Sequence, residues 1–96
     1  MAEVQVTLNE DEKRYEARVD GALAGSAYFD SADDLVVFTH TEVDDAYEGQ
    51  GVGSALARHA LDDVRAQGGR KVVPRCQFIK GWIDRHPDYQ DLLEHR

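Results

Sequence analysis

The stretch that most limits what this chain can become runs from Leu35 to Gln67. It sets a strand, a glycine-rich turn and a helix in immediate succession. Leu35-Val36-Val37-Phe38 is apolar and rich in β-branched residues, and the strand it starts reads through to Val43. Gly49, Gly51 and Gly53 follow at alternate positions. Val52, Leu56, Ala60 and Val64 then recur every four residues, with Ala57 and Leu61 beside them, which gives one apolar face to a helix over Gly51–Gln67. Arg58, Asp62 and Arg65 fall toward the other side and read as a solvated face, and Gly68-Gly69 supplies the stop.

The glycines remove side chains where the backbone must come close to something. The first amides of a helix have no carbonyl partner inside it, and with the helix dipole they favour an anion, most often a phosphate. Glu48, Gly49, Gln50, Gly51, Val52, Gly53 and Ser54 therefore read as a phosphate cradle. A P-loop would place Lys-Ser or Lys-Thr after its last glycine, and here Ser54-Ala55 follows. A dinucleotide fingerprint needs Gly-x-Gly-x-x-Gly, which this spacing does not supply. The plain alternative is a flexible helix start with no ligand.

Upstream, Val4, Val6 and Leu8 alternate with polar residues as a half-buried strand, and Tyr15, Ala17 and Val19 pair back on it as a hairpin. Asp20-Gly21 is a turn. Leu23 to Phe29 is the third strand, Asp30 to Asp34 a loop, and Leu35 to Val43 the fourth strand. Downstream, Lys71-Val72-Val73 is the fifth, with Pro74 suited to an edge or to the end of pairing. Gln77 to Arg85 reads as a second helix with Phe78, Ile79, Trp82 and Ile83 on its apolar side. Asp88 to Glu94 reads as a short terminal helix docked by Tyr89, Leu92 and Leu93. The class is α+β, with a mixed, mostly antiparallel sheet.

At 96 residues this is read as one domain over 1–96, and 42% hydrophobic residues suffice for one core. No stretch approaches the roughly 20 apolar residues of a membrane span. Met1-Ala2-Glu3-Val4 lacks the features of a signal peptide, and the single cysteine, Cys76, allows no internal disulfide or multi-cysteine metal site. These points favour the cytoplasm. A net charge of −8 argues against nucleic acid. It suits a cationic acceptor and equally an ordinary solubility charge.

Val43-x-x-x-Tyr47-x-Gly49-Gln50-Gly51-Val52-Gly53-x-x-Leu56 resembles the acetyl-CoA signature of the GNAT acetyltransferase superfamily, Gln/Arg-x-x-Gly-x-Gly/Ala, with Glu48 in the place of Gln or Arg. Pro74-x-Cys76-x-Phe78-Ile79-x-x-Trp82-Ile83-x-x-His86-Pro87-x-Tyr89 is similar to the ending of a small branch of that superfamily, and the likeness spans residues 35 to 93. It implies a minimal GNAT fold whose fourth and fifth strands splay apart around the pantetheine arm of CoA. Backbone near Thr41 and Val43 would pair with that arm, and the cradle would hold the pyrophosphate.

The resemblance also implies an N-acyltransferase working on a small or protein-borne amine; the chain is expected to be a monomer or weak homodimer. The competing class is a CoA-binding module without transfer. Superfamily members use a carboxylate or histidine on the fourth strand as base, which on this chain points to His40 and Glu42 on one face. Histidine, with an ordinary pKa of about 6.5, can take a proton at neutral pH, and the plain alternative for His40 is a structural hydrogen bond. The superfamily's acidic tyrosine would fall near Trp82 or Ile83, neither of which donates a proton to a thiolate. Cys76, beside a helix start that favours thiolate, is left as proton donor, acetyl carrier or packing residue. The short polar turn between Leu8 and Tyr15 leaves the acceptor pocket small, open or completed by a second molecule.

Overall fold

Period-two alternation in the first half and period-four spacing after it build two layers. The computed structural model describes residues 3–94, so Met1, Ala2, His95 and Arg96 lie outside the described residues. β1 (Val4–Asn9), β2 (Arg14–Val19), β3 (Ala22–Ala32), β4 (Leu35–Val43) and β5 (Lys71–Pro74) form one sheet in that order. The first four strands run antiparallel to their neighbours, and β5 runs parallel to β4. A parallel pair needs a crossover, and α1 (Val52–Gln67) supplies it. Its Val52, Leu56, Ala57, Ala60, Leu61 and Val64 are buried against β1 to β4. α2 (Gln77–Asp84) follows β5 and buries Ile79, Trp82 and Ile83.

Three expectations change. The loop expected over Asp30–Asp34 contracts to the turn Asp33-Asp34, because Asp30 pairs with Val37, Ser31 with Val36 and Ala32 with Leu35. Asp33 takes φ 50°, the left-handed geometry that matches strand twist in a tight hairpin. Cross-strand pairing here overrides a polar, loop-like composition. The terminal helix expected at Asp88–Glu94 is instead a 3-10 segment, Pro87–Leu92. Leu93 then bridges to Val72, and Glu94 N–H donates to the Val72 carbonyl at 3.0 Å. The chain thus ends its described course on the outer edge of β5.

The third concerns Arg58, Asp62 and Arg65, which are exposed as a solvated face should be but also dock the C-terminal segment. Arg65 grips both carboxylate oxygens of Asp91 and the Asp88 carbonyl, at 2.8–2.9 Å. Asp62 accepts the Tyr89 hydroxyl at 2.7 Å, and the Arg58 guanidinium lies over the Trp82 and Tyr89 rings. The bond to Asp62 comes first among the causes that push the Tyr89 phenol up. The C-terminal segment is held on α1 by charge-assisted bonds as well as by buried Tyr89 and Leu92.

The core lies between the sheet and α1, and its largest fully buried members are Trp82, Phe38, Leu56 and Leu61. Each such side chain contributes about 1.5–3 kcal/mol relative to exposure. Gly25 on β3 has no room for a side chain, being closed in by the neighbouring strand and by α1. A methyl there would sit 2.7 Å from the Glu42 carbonyl and 3.1 Å from Val52. Gly25→Ala should therefore destabilise by about 1–3 kcal/mol, because the nearest atom is backbone that cannot turn aside. Chemical denaturation, with the midpoint moving at constant slope, is the measurement.

Candidate active site

β4 carries one residue too many for its partner. Tyr28 pairs with His40 and Phe29 with Phe38, so Thr39 is a bulge that reverses the alternation of everything after it. Before the bulge, the Phe38 carbonyl faces β5 and accepts from Arg75 N–H at 3.0 Å and Cys76 N–H at 2.9 Å. After it, Asp44 N–H donates to Ala24 of β3 at 2.8 Å. The even positions 40, 42 and 44 thus turn their backbone toward β3, and Thr41 and Val43 turn theirs to the opposite edge. β5 has no register with β4 beyond Pro74–Phe38. The two strands part there into a fork, and Thr41 and Val43 present unpaired backbone to it.

Between β4 and α1 the chain does not pass straight into the glycine turn. Asp45–Tyr47 forms a 3-10 turn, capped by Asp44, whose Oδ1 accepts Ala46 N–H at 2.9 Å. Gly49 and Gly51 then take φ of 83° and 79°, conformations costly to any residue with a Cβ. Gly51 caps α1 without a side-chain hydrogen bond, and the first bond of the helix ladder is Ala55 N–H to Gly51 carbonyl. The amides of Val52, Gly53 and Ser54 come before that bond and are available to an anion.

The side chains of the cradle do other work. Val52 is in the core at 1% exposure, and Ser54 Oγ accepts the buried Trp82 Nε1–H at 3.0 Å. Gly53 is bare because the Phe78 ring covers it: a methyl there would lie 2.6 Å from the ring. Phe78, expected on the apolar side of α2, stays 39% exposed across the first turn of α1. Glu48 and Gln50 are exposed.

Cys76 caps α2 and is buried, its Sγ 3.1 Å from Thr41 Oγ1, so one contact spans the fork. Trp82 and Ile83, the positions compared with the superfamily's tyrosine, face the core at 1% exposure each. His40 and Glu42 point to the face of the sheet away from α1. There His40 Nε2 lies 3.0 Å from Glu42 Oε1, and the His40 ring stacks on Tyr28 with centroids 6.0 Å apart. β4 itself separates this pair from Cys76.

The sequence reading passed over the polar rows on this open face. Arg14, Glu16 and Arg18 on β2 and Ser26 and Tyr28 on β3 all share it, and the signal was their alternation with the buried Tyr15, Ala17 and Ala27. Arg14 Nε donates to Glu16 at 2.7 Å and its Nη1 to the Tyr28 hydroxyl at 3.0 Å; Arg18 and Asn9 complete the shell around Glu16. The Arg14 guanidinium, ahead of Asn9 and Arg18, holds the Glu16 carboxyl below its ordinary range. Above the rows opens a groove of about 710 Å³, lined by Ser26, Tyr28, Thr41, Glu42, Asp44 and Asp45 among others.

The fold as a whole has counterparts among known proteins. The family model for GCN5-related N-acetyl-transferases matches residues 14–92. A GCN5-like protein from Staphylococcus aureus, solved by NMR, superposes with a TM-score of 0.72 at 21% identity, covering 100% of this chain and 93% of that one. A ribosomal-protein-alanine N-acetyltransferase from Brucella melitensis gives a TM-score of 0.61 at 21% identity, over 86% of this chain and 62% of that one. Protein NATD1 of Gallus gallus is 39% identical over 61 residues, 64% of this chain and 54% of that protein, so the match spans about half of the curated relative. The chain belongs to the GCN5-related N-acetyltransferase family.

Proposed function

We propose that the protein is an acetyl-CoA-dependent N-acyltransferase whose cofactor lies in the fork between β4 and β5. The observation that carries this reading is the fork together with the bare start of α1. Thr41 and Val43 offer an unpaired strand edge, to which an amide-bearing arm can add as a strand would. Val43 and Phe78 are among the large apolar side chains left exposed, at 36% and 39%, and they stand at the end of β4 and the start of α2. The amides of Val52, Gly53 and Ser54 would take the pyrophosphate, and Gly49 and Gly51 have open space where a side chain would stand. Glu48 and Gln50 line the cradle through backbone alone. The Pro74-x-Cys76-x-Phe78 and His86-Pro87-x-Tyr89 pattern supports placing the chain in the small branch of the family.

When bound, acetyl-CoA supplies an acyl group already activated as a thioester. The chain must align it, remove a proton from the ammonium form of the acceptor and furnish one for the departing thiolate. His40 is the proposed base. When its Nε2–H donates to Glu42, Nδ1 is the basic nitrogen, and the carboxylate steadies the imidazolium that forms. Cys76 is proposed to act at the thioester. Its Sγ exchanges a hydrogen bond with Thr41 in the fork, so it can pass a proton to the thiolate. It can also take the acetyl group itself, the new S–C bond forming as the bond to CoA breaks. A CoA-binding module without transfer needs none of His40, Glu42 and Cys76.

Three outcomes are expected. Gly51→Val, which strains a φ of 79° at a position with no neighbour to clash, should leave a folded protein that no longer binds CoA by calorimetry; unchanged affinity would remove the cradle. His40→Ala should lower turnover by roughly 10²–10⁴-fold with little effect on CoA affinity. The acidic limb of the pH–rate profile, where the imidazole is protonated and cannot accept, should vanish with it. Cys76→Ser should keep CoA binding and lose most transfer, and intact-mass spectrometry should detect an acetyl adduct on Cys76 or a mixed disulfide with CoA under oxidation. A fully active Cys76→Ser that forms no adduct assigns the thiol to packing.

A further inference from the structure

We infer that the groove on the open face of the sheet selects an acceptor that carries a second positive charge near the reacting amine. Two independent observations meet there. The first is an unbalanced charge. The groove's cation, Arg14, is spent on Glu16 and the Tyr28 hydroxyl, and Arg18 also pairs with Glu16. Glu42, Asp44 and Asp45 line the exit of β4, and among the described residues no lysine or arginine forms an ion pair with any of them. An amine that brings one charge to His40 and Glu42 finds further carboxylates a step along the strand, whereas a carboxylate on the acceptor would meet like charge.

The second observation is Ser26. It lies on the groove floor between Glu16 of β2 and Glu42 of β4 and is only 4% exposed. Among the described residues none hydrogen-bonds its hydroxyl. Its oxygen opens to the groove rather than being sealed in the core, so its partner is water until a group that enters the groove displaces it. An ammonium or amine N–H is a donor that suits it. The inference rests on the proposed transfer for which end of the acceptor reacts; the charge and the free hydroxyl are read from the chain itself.

The test separates the two. The protein is titrated by NMR with cadaverine, aminopentanol and aminopentanoate, probes that share a primary amine and differ only in the distal group. Cadaverine should shift the amides of Ser26, Glu42 and Asp45 and bind roughly fivefold more tightly than aminopentanol. Aminopentanoate should be weakest, and the gap should shrink with added salt. Joint Asp44→Asn and Asp45→Asn, in which asparagine can still cap the 3-10 turn, should erase the preference. Ser26→Ala should weaken cadaverine by about threefold to tenfold without moving the melting temperature. A capped Lys-Lys dipeptide run in parallel assigns the second charge to a peptide if it binds more tightly than cadaverine, and to a free polyamine if it binds less tightly. Equal or reversed affinities across the three probes, or shifts outside the groove, would overturn the inference. Release of thiol from acetyl-CoA is followed separately. Selective cadaverine binding without transfer would keep this inference and sink the proposed activity; transfer to aminopentanol as readily as to cadaverine would do the opposite.

Discussion

The arrangement of this protein turns on where β4 stops being an interior strand. Up to Phe38 it has a neighbour on each side; beyond Phe38 it keeps only β3. Two features of different origin coincide at that point. Pro74 pairs with Phe38 and has no N–H to carry the ladder on, so β5 ends. Thr39 is the extra residue of a bulge, so the alternation of β4 reverses. Without the bulge, His40 and Glu42 would turn toward α1 and the core, and the backbone of Thr41 and Val43 would be consumed by β3. With it, one strand offers a free edge to the fork and a polar pair to the open face. An exposed strand edge is normally a liability that proteins cover. Here α2 begins beside it, and the Thr41–Cys76 contact crosses the gap.

The mouth of the fork is held by the contact between α1 and α2. Trp82 is fully buried, and its Nε1–H reaches Ser54 in the first turn of α1. Its ring stacks on His86 at 3.8 Å and meets Tyr89 edge-on at 4.9 Å. Phe78, one turn earlier, lies against bare Gly53. The two aromatic residues thus fix how far the start of α1 stands from the start of α2, and the C-terminal segment braces Trp82 from behind. An indole N–H left without Ser54 would cost about 1–3 kcal/mol. Rigidity in the first turn of α1 therefore comes from residues that read in sequence as ordinary core.

How much could be read in advance follows from which signals are local. Strand alternation, the apolar face from Val52 to Val64 and the Gly68-Gly69 stop are written in consecutive residues, and they gave the α+β layout and the order of elements. The glycine turn was legible as a place, because glycine at positive φ leaves a compositional trace at 49 and 51. What Gly53 is for was not legible, since its reason is Phe78, distant in sequence and on another helix. The bulge at Thr39 has no residue-type signature, because register is set by two strands jointly. The open-face rows of Arg14, Glu16, Ser26 and Tyr28 looked like ordinary solvated alternation, and only pairing shows that they meet in one groove with Glu42. The docking role of Arg65 likewise depends on Asp91, a partner that no period predicts.

An acidic chain is a poor host for an anionic cofactor only until the charges are placed. The proposed pyrophosphate cradle is made of backbone amides, which carry no titratable charge and need no cation beside them. That frees the sequence to place its carboxylates elsewhere, and Glu42, Asp44 and Asp45 cluster on the other side of β4. The strand then acts as a divider. On its edge toward β5 stand neutral or apolar groups, with Arg75 and Lys80 exposed nearby in sequence; on its open face stands negative charge. At a Debye length of about 8 Å in physiological salt, the open-face charges are felt strongly by a cation entering the groove and more weakly across the strand. Glu48, standing where relatives of the superfamily pattern have Gln or Arg, fits that division because its side chain is exposed to solvent and the cradle does not need it.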